Sequence, residues 1–197
     1  MDYKAAKAYI LHKLERELSD QLFYHGLHHT LDVLKVTIEL CESEGVGKRD
    51  TILLKTAALY HDAGFVVHNV QHEQLGCQLA QASLPQFGYT AKDIERICGM
   101  IMATKIPQSP KNALEEIICD ADLDYLGRDD FKSIGDTLYE ELKAYDVLSD
   151  VKTWNRLQVS FLEGHTFFTK TNLERRQGQK EKHLMELRDI VASYEKN

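Results

Sequence analysis

Ala57-Ala58-Leu59-Tyr60-His61-Asp62-Ala63-Gly64 sets an imidazole and a carboxylate side by side at the end of an apolar run. Apolar residues recur at three- and four-residue spacing from Asp50 onward, so a helix is expected over 50–63, with Asp50 as its cap. Gly64 supplies its end. Adjacent helical residues diverge by about 100°, so His61 and Asp62 reach one ligand together only where the helix terminus meets a cleft.

The same periodicity continues in both directions. Helices are expected at roughly 3–18, 27–44, 50–63, 72–84, 91–104, 112–126, 129–145, 149–168 and 172–195. Thr90 with Asp93 has the pattern of a capping box, and Ser149 and Asn172 stand where side chains can accept orphan amide protons. The β-branched stretch Phe65-Val66-Val67 is short and follows a helix-ending glycine, so no sheet is expected. Only three prolines occur, and the irregular segment Ile106–Lys111 is too short to separate two domains. The expected fold class is therefore all-α, a compact helical bundle in one domain over 1–197. C-terminal helices over about 129–195 are expected to pack on the rest, the last forty or so residues as solvated elements.

A chain of 197 residues buries roughly 70% of its unfolded surface, so neither metal nor disulfide is required merely for folding. The four cysteines, Cys41, Cys77, Cys98 and Cys119, form no CxxC pair and sit among apolar neighbours, which reads as reduced core residues. The balance of 24 basic against 31 acidic residues gives −7, without a basic cluster able to track a phosphate backbone. Duplex nucleic acid is disfavoured as a partner. No signal peptide or membrane-length apolar run is visible, so a cytoplasmic protein that does not engage a membrane is expected. A small phosphorylated partner is still compatible with the acidic charge, provided a divalent cation inverts the local field.

Six of the nine histidines, His25, His28, His29, His61, His68 and His72, fall between positions 25 and 72. Such a concentration calls for a metal test, because neutral imidazole offers a lone pair near neutral pH. His25 and His29 are four apart and share a face in a helix. Downstream, Cys119-Asp120-Ala121-Asp122-Leu123-Asp124 interrupts a strongly apolar helix with carboxylates. Asp120 or Asp122 buried there needs a cation, a hydrogen-bond donor or exposure.

The ordered set His29, His61-Asp62, Asp120, with the opening YHGLHHTLDVL and the later His72-Glu73 pair, resembles the HD-domain superfamily of metal-dependent phosphohydrolases over about residues 22–127. Its opening is also similar to that of the cyclic-nucleotide phosphodiesterase branch, with Gly26 where that branch has Asn. The resemblance implies a helical bundle of the HD-domain and phosphodiesterase type. It makes His29, His61, Asp62 and Asp120 the metal ligands, with Asp122 as the substitute for Asp120, and His25 the histidine that protonates the leaving group. His72 becomes a possible second-metal ligand and Glu73 a residue orienting the attacking water, or both form an exposed first helical turn. Thr104 stands where many similar proteins carry a further histidine, and Leu123 where a basic residue often follows.

The implied cofactor is a divalent metal ion, one of Mn, Fe, Mg, Co, Ni or Zn. The implied reaction is hydrolysis of a phosphate ester or anhydride of a small molecule, a nucleotide being the first expectation, by metal-activated water. Lys105, Lys111 and Arg128 are candidates for holding phosphate oxygens, with surface solvation the competing explanation. Trp154, Phe161, Phe167 and Phe168 read as helical core rather than a base-stacking platform. Two other functions fit the same ligands: a di-iron oxygenase on a related fold, and a non-catalytic metal- or nucleotide-binding regulatory module.

Overall fold

Thr90 opens one helix with the full capping box, its side chain accepting from the Asp93 amide while the Asp93 carboxylate accepts from the Thr90 amide. This is one of ten α-helices among the described residues, 1–195 of the computed structural model. They are α1 (Tyr3–Glu17), α2 (Leu27–Ser43), α3 (Lys48–Tyr60), α4 (His72–Ser83), α5 (Ala91–Ala103), α6 (Ala113–Asp122), α7 (Phe131–Ala144), α8 (Val151–Gly164), α9 (Lys170–Arg175) and α10 (Gln177–Ser193). Short 3-10 turns lie at Ala63–Val66, Leu84–Phe87 and Asp124–Gly127. No strand occurs among the described residues. The all-α class read from spacing is what the structure shows.

Three expected caps are displaced. Gly47 precedes α3, and Asp50 lies in its first turn, paired with Arg96 at 2.8 Å. Asp150 rather than Ser149 caps α8, accepting from the amides of Lys152 and Thr153. Thr169 rather than Asn172 starts the next helix. The single helix expected over 172–195 is divided at Arg176, which has φ −116° and ψ −31°. At the break the backbone lies against Gly127, where a Cβ would lie 2.4 Å from the Arg176 carbonyl oxygen. The Arg176 guanidinium also donates to Asp124 at 2.8 Å, fixing the break over the turn that follows α6.

Two apolar cores result. The larger joins α1 to α6, with Ile10, Leu40, Leu53, Leu54, Ile97 and Ile118 fully buried. Each such side chain stabilises the fold by about 1.5–3 kcal/mol relative to exposure. The smaller brings Tyr24, from the segment before α2, together with Leu126 of the turn after α6 and Phe131, Leu162, Phe167 and Leu187 of the C-terminal region. All four cysteines are free, three of them buried. No helix among the described residues is long and apolar enough to cross a membrane.

Asp120 ties the two cores together. Residues two apart on a helix point about 200° from one another, so Asp120 and Asp122 face opposite ways. Asp120 faces the C-terminal segment, where its carboxylate accepts from the Phe168 amide at 2.9 Å and from the Thr169 amide and hydroxyl at 2.8 and 2.7 Å. Burial pushes its pKa up to about 6 against the pull of those donors. Replacing Asp120 by Ala leaves three donors unmatched at a buried position. Chemical denaturation of Asp120→Ala is expected to show a loss of about 2–4 kcal/mol, and an unchanged midpoint would show that this anchor contributes nothing.

Candidate metal centre

The helix that carries His61 ends just before it. α3 stops at Tyr60, His61 keeps helical angles, and Asp62 leaves them at φ −103° and ψ 6°. That departure allows two adjacent residues to face one point, as the sequence requires of them. Gly64 then lets α4 approach closely, since a Cβ at that position would lie 2.0 Å from the carbonyl oxygen of His72. His72 and Glu73, at the N-terminus of α4, are thereby brought against Asp62. α2 contributes His29 and α6 contributes Asp122.

The four groups converge. His29 Nε2 and His61 Nε2 are 3.3 Å apart. Asp122 Oδ1 is 3.1 Å from the first and 3.4 Å from the second. Asp62 Oδ2 lies 3.5 Å from His29 Nε2 and 3.2 Å from His61 Nε2. His29, His61 and Asp62 are buried, and Asp122 is nearly so. The His61 Nδ1 atom lies 2.8 Å from the carbonyl oxygen of Ala58. That acceptor assigns the Nδ1 proton and leaves the Nε2 lone pair facing a second imidazole nitrogen.

Two ring nitrogens and two carboxylates at these separations fit a cation. Ligands held about 2.1 Å from one ion in tetrahedral geometry sit about 3.4 Å from each other, and the donor atoms of His29, His61 and Asp122 all lie within 4.8 Å of one another. The charges agree. Burial alone would raise both carboxyls, but His61 and His29 outweigh it, holding Asp62 far below the usual carboxylate range and Asp122 at about 2. Burial alone would likewise lower His61, yet Asp62 and Asp122 hold it well above ordinary imidazole. Both carboxylates are stabilised by positive charge at the shared point, which His61 carries as an imidazolium and a bound cation would replace.

Asp62 also faces a second way. Its Oδ1 lies 3.4 Å from His72 Nε2, which is in turn 3.5 Å from Glu73. Phe65, which no sequence signal marked, stacks on His25 and on His72 with both centroid separations at 4.3 Å. Glu141 of α7 is a second residue that sequence reading missed. Its carboxylate accepts from the amides of Tyr24 and His25 at 2.8 and 3.0 Å, and its other oxygen meets His25 Nδ1 at 2.5 Å. Burial alone would lower His25, but Glu141, Asp62 and Asp122 outweigh it and keep the ring above its ordinary value.

Other expectations need correction. Asp120 is not in the cluster, because its oxygens are held by Phe168 and Thr169; Asp122 occupies the place. Arg128 is engaged by Asp32 at 2.8 Å and Asp130 at 2.9 Å and does not line the adjoining cavity. Lys111 lies beyond α5, its amide donating to Glu115, and is absent from the cavity wall as well. Lys105 does line it. That cavity, about 590 Å³, opens from His25, Asp62, His72 and Asp122 toward Trp154 and Phe161. Trp154 and Phe161, expected as plain core, therefore form a wall of it. His28 is exposed and outside the cluster.

Comparison with known proteins adds the family. The crystal structure of a predicted HD superfamily hydrolase from an uncultured Thermotogales bacterium is similar, with a TM-score of 0.61 at 19% identity, covering 95% of this chain and 92% of that one. At that identity the likeness concerns the fold. No curated protein matches. A family description of the HD domain matches residues 26–124, the segment that carries His29, His61, Asp62 and Asp122, and on that match the chain belongs to the HD-domain family.

Proposed function

We propose that the chain is a metal-dependent phosphohydrolase acting on a phosphate ester or anhydride of a small molecule. The observation that carries this reading is the 3.3 Å approach of the His29 and His61 Nε2 atoms between two carboxylates, at the wall of a cavity large enough for a substrate. His29, His61, Asp62 and Asp122 would hold a divalent ion. Such an ion supplies charge for phosphate oxygens and acidifies water. Four ligands of mixed imidazole and carboxylate type suit Mn, Fe, Co, Ni, Zn or Mg. Asp62 Oδ1, His72 and Glu73 offer a smaller set for a second ion.

The remaining roles belong to the chain's own groups. His25 stands beside the centre with Nδ1 committed to Glu141, so its proton at Nε2 is the one available to a departing oxygen. Glu141 positions that ring: it does not line the cavity and acts through His25. Glu73, buried next to His72, is placed to accept a proton from water entering beside Asp62. Lys105 contributes a charge-assisted donor at the cavity wall. Together these support hydrolysis rather than transfer to a protein nucleophile.

Three outcomes test the reading. Chelation of the purified protein is expected to remove phosphatase activity and lower Tm, with both restored by Mn²⁺; a metal-independent activity contradicts it. His61→Ala, Asp62→Ala and Asp122→Ala are expected to reduce kcat by at least about 10²-fold while Asp120→Asn retains most of it, and the reverse ranking of the two aspartates would restore Asp120 as ligand. His25 must carry its proton to act as an acid, so activity declines as pH rises through its pKa. Removing the Glu141 charge lowers that pKa. In Glu141→Gln the alkaline limb of the kcat profile is therefore expected to move to lower pH with a loss of about tenfold or more, and an unmoved limb would separate Glu141 from catalysis.

A further inference from the structure

The cavity beside the metal centre is divided by chemistry. Its polar end holds Asp62, Asp122, His25, His72, Glu73 and Lys105. Its other end lies between α7 and α8 and is walled by Leu123, Leu126, Phe131, Trp154, Phe161 and Leu162. Gln158 is the polar side chain that α8 contributes there, and it already donates to Asn155 at 3.3 Å. Gly135 brings α7 close to this wall, since a Cβ at that position would lie 3.1 Å from Gln158 Oε1 and 4.0 Å from Trp154 Cζ2.

The mouth carries apolar side chains beside the exposed Asn69, Gln71 and Lys105. Val70, Ile106 and Leu157 are 62%, 52% and 50% exposed, respectively, and all three line the cavity from separate elements. Single exposed apolar residues need no explanation, but three converging on one opening do. They flank the route by which a substrate reaches Asp62 and Asp122.

Charge limits the other portion of a ligand. Among the described residues lining the cavity, Lys105 is the one Lys or Arg, against three carboxylates, Asp62, Glu73 and Asp122. Two bound divalent ions with Lys105 match the three carboxylates and a single phosphate dianion. The additional charges of a di- or triphosphate would lie beside the neutral side chains of Asn69, Gln71 and Thr104 or along Leu and Phe, and neither stretch supplies a further cation. A ribose between α7 and α8 would find only Gln158 and the Trp154 indole N–H as polar side-chain groups of those helices among the described lining residues.

Resting on the phosphohydrolase reading, we propose that the preferred substrate is a monophosphate ester of an apolar or flat aromatic alcohol, with the phosphate at the metal centre and the organic group between α7 and α8. Trp154 and Phe161 supply faces for an aromatic ring. Leu157, at the rim, and Gly135, at the waist, set which groups enter.

Trp154 is the sole tryptophan in the chain, so its emission reports on this chamber directly. The test uses the full-length Mn²⁺-loaded protein with two non-hydrolysable probes, 1-naphthylphosphonate and methylphosphonate, followed by Trp154 fluorescence. A parallel kinetic series compares 1-naphthyl phosphate, glycerol phosphate, AMP and ATP. Expected are naphthyl binding at least about tenfold tighter than methyl, a change in Trp154 emission with the former alone, and the highest kcat/KM for 1-naphthyl phosphate. Leu157→Glu, half-exposed and so harmless to folding, should weaken the naphthyl probe at least about tenfold and leave methylphosphonate unchanged. Gly135→Leu should do the same by filling the waist. Equal binding of the two probes, indifference to both substitutions, or preferred turnover of ATP would overturn the assignment. Naphthyl binding without turnover of any ester would instead refute the phosphohydrolase reading and leave the apolar chamber standing.

Discussion

Two imidazole nitrogens 3.3 Å apart in a buried setting, each turned toward the other and flanked by carboxylates, form an arrangement that needs positive charge at its centre. The surrounding architecture serves that approach. α3 must end where it does so that His61 and Asp62 face one point. α2 must carry His29 on the side that meets them, and α6 must deliver Asp122 rather than its neighbour. Packing of the larger apolar core supplies the rigidity, since side chains at near-crystalline density hold the ring positions to fractions of an ångström.

The C-terminal helices are part of this centre. α7 provides Glu141, which holds His25 by two contacts and the Tyr24 amide by a third. α7 and α8 together wall the cavity, and the α9 region fixes Asp120 on the far side of α6. Asp120 and Asp122 divide the work of one helix: the first anchors the smaller core, and the second faces His29 and His61. An acidic pair that reads as redundant in sequence has two unrelated functions in space, because helical geometry sends its members in opposite directions.

Much of the fold was legible. Helical spacing runs through nearly the whole chain, and the capping box at Thr90 and Asp93 forms as its residues imply. Helix breaks were harder, because the division at Arg176 lies where the chain meets Gly127 across the fold, a contact that local propensity does not encode. His29, His61 and Asp62 could be brought together from their order and residue types with the resemblance to the HD-domain superfamily. Asp122 could not be preferred to Asp120, since the choice depends on the rotation of α6 about its axis. Glu141 and Phe65 carried no signal: one is a single carboxylate in a charged helix, and the other sits in a stretch that only hinted at a loop. Arg128 was misleading for the opposite reason, a cation near the right helix that three aspartates already engage.

A crystal of the protein soaked in Mn²⁺ and measured for anomalous scattering addresses the central claim most directly. The peak is expected between the Nε2 atoms of His29 and His61, within bonding distance of Asp62 and Asp122. A peak at Asp120, or none at this cluster in fully loaded crystals, would contradict it.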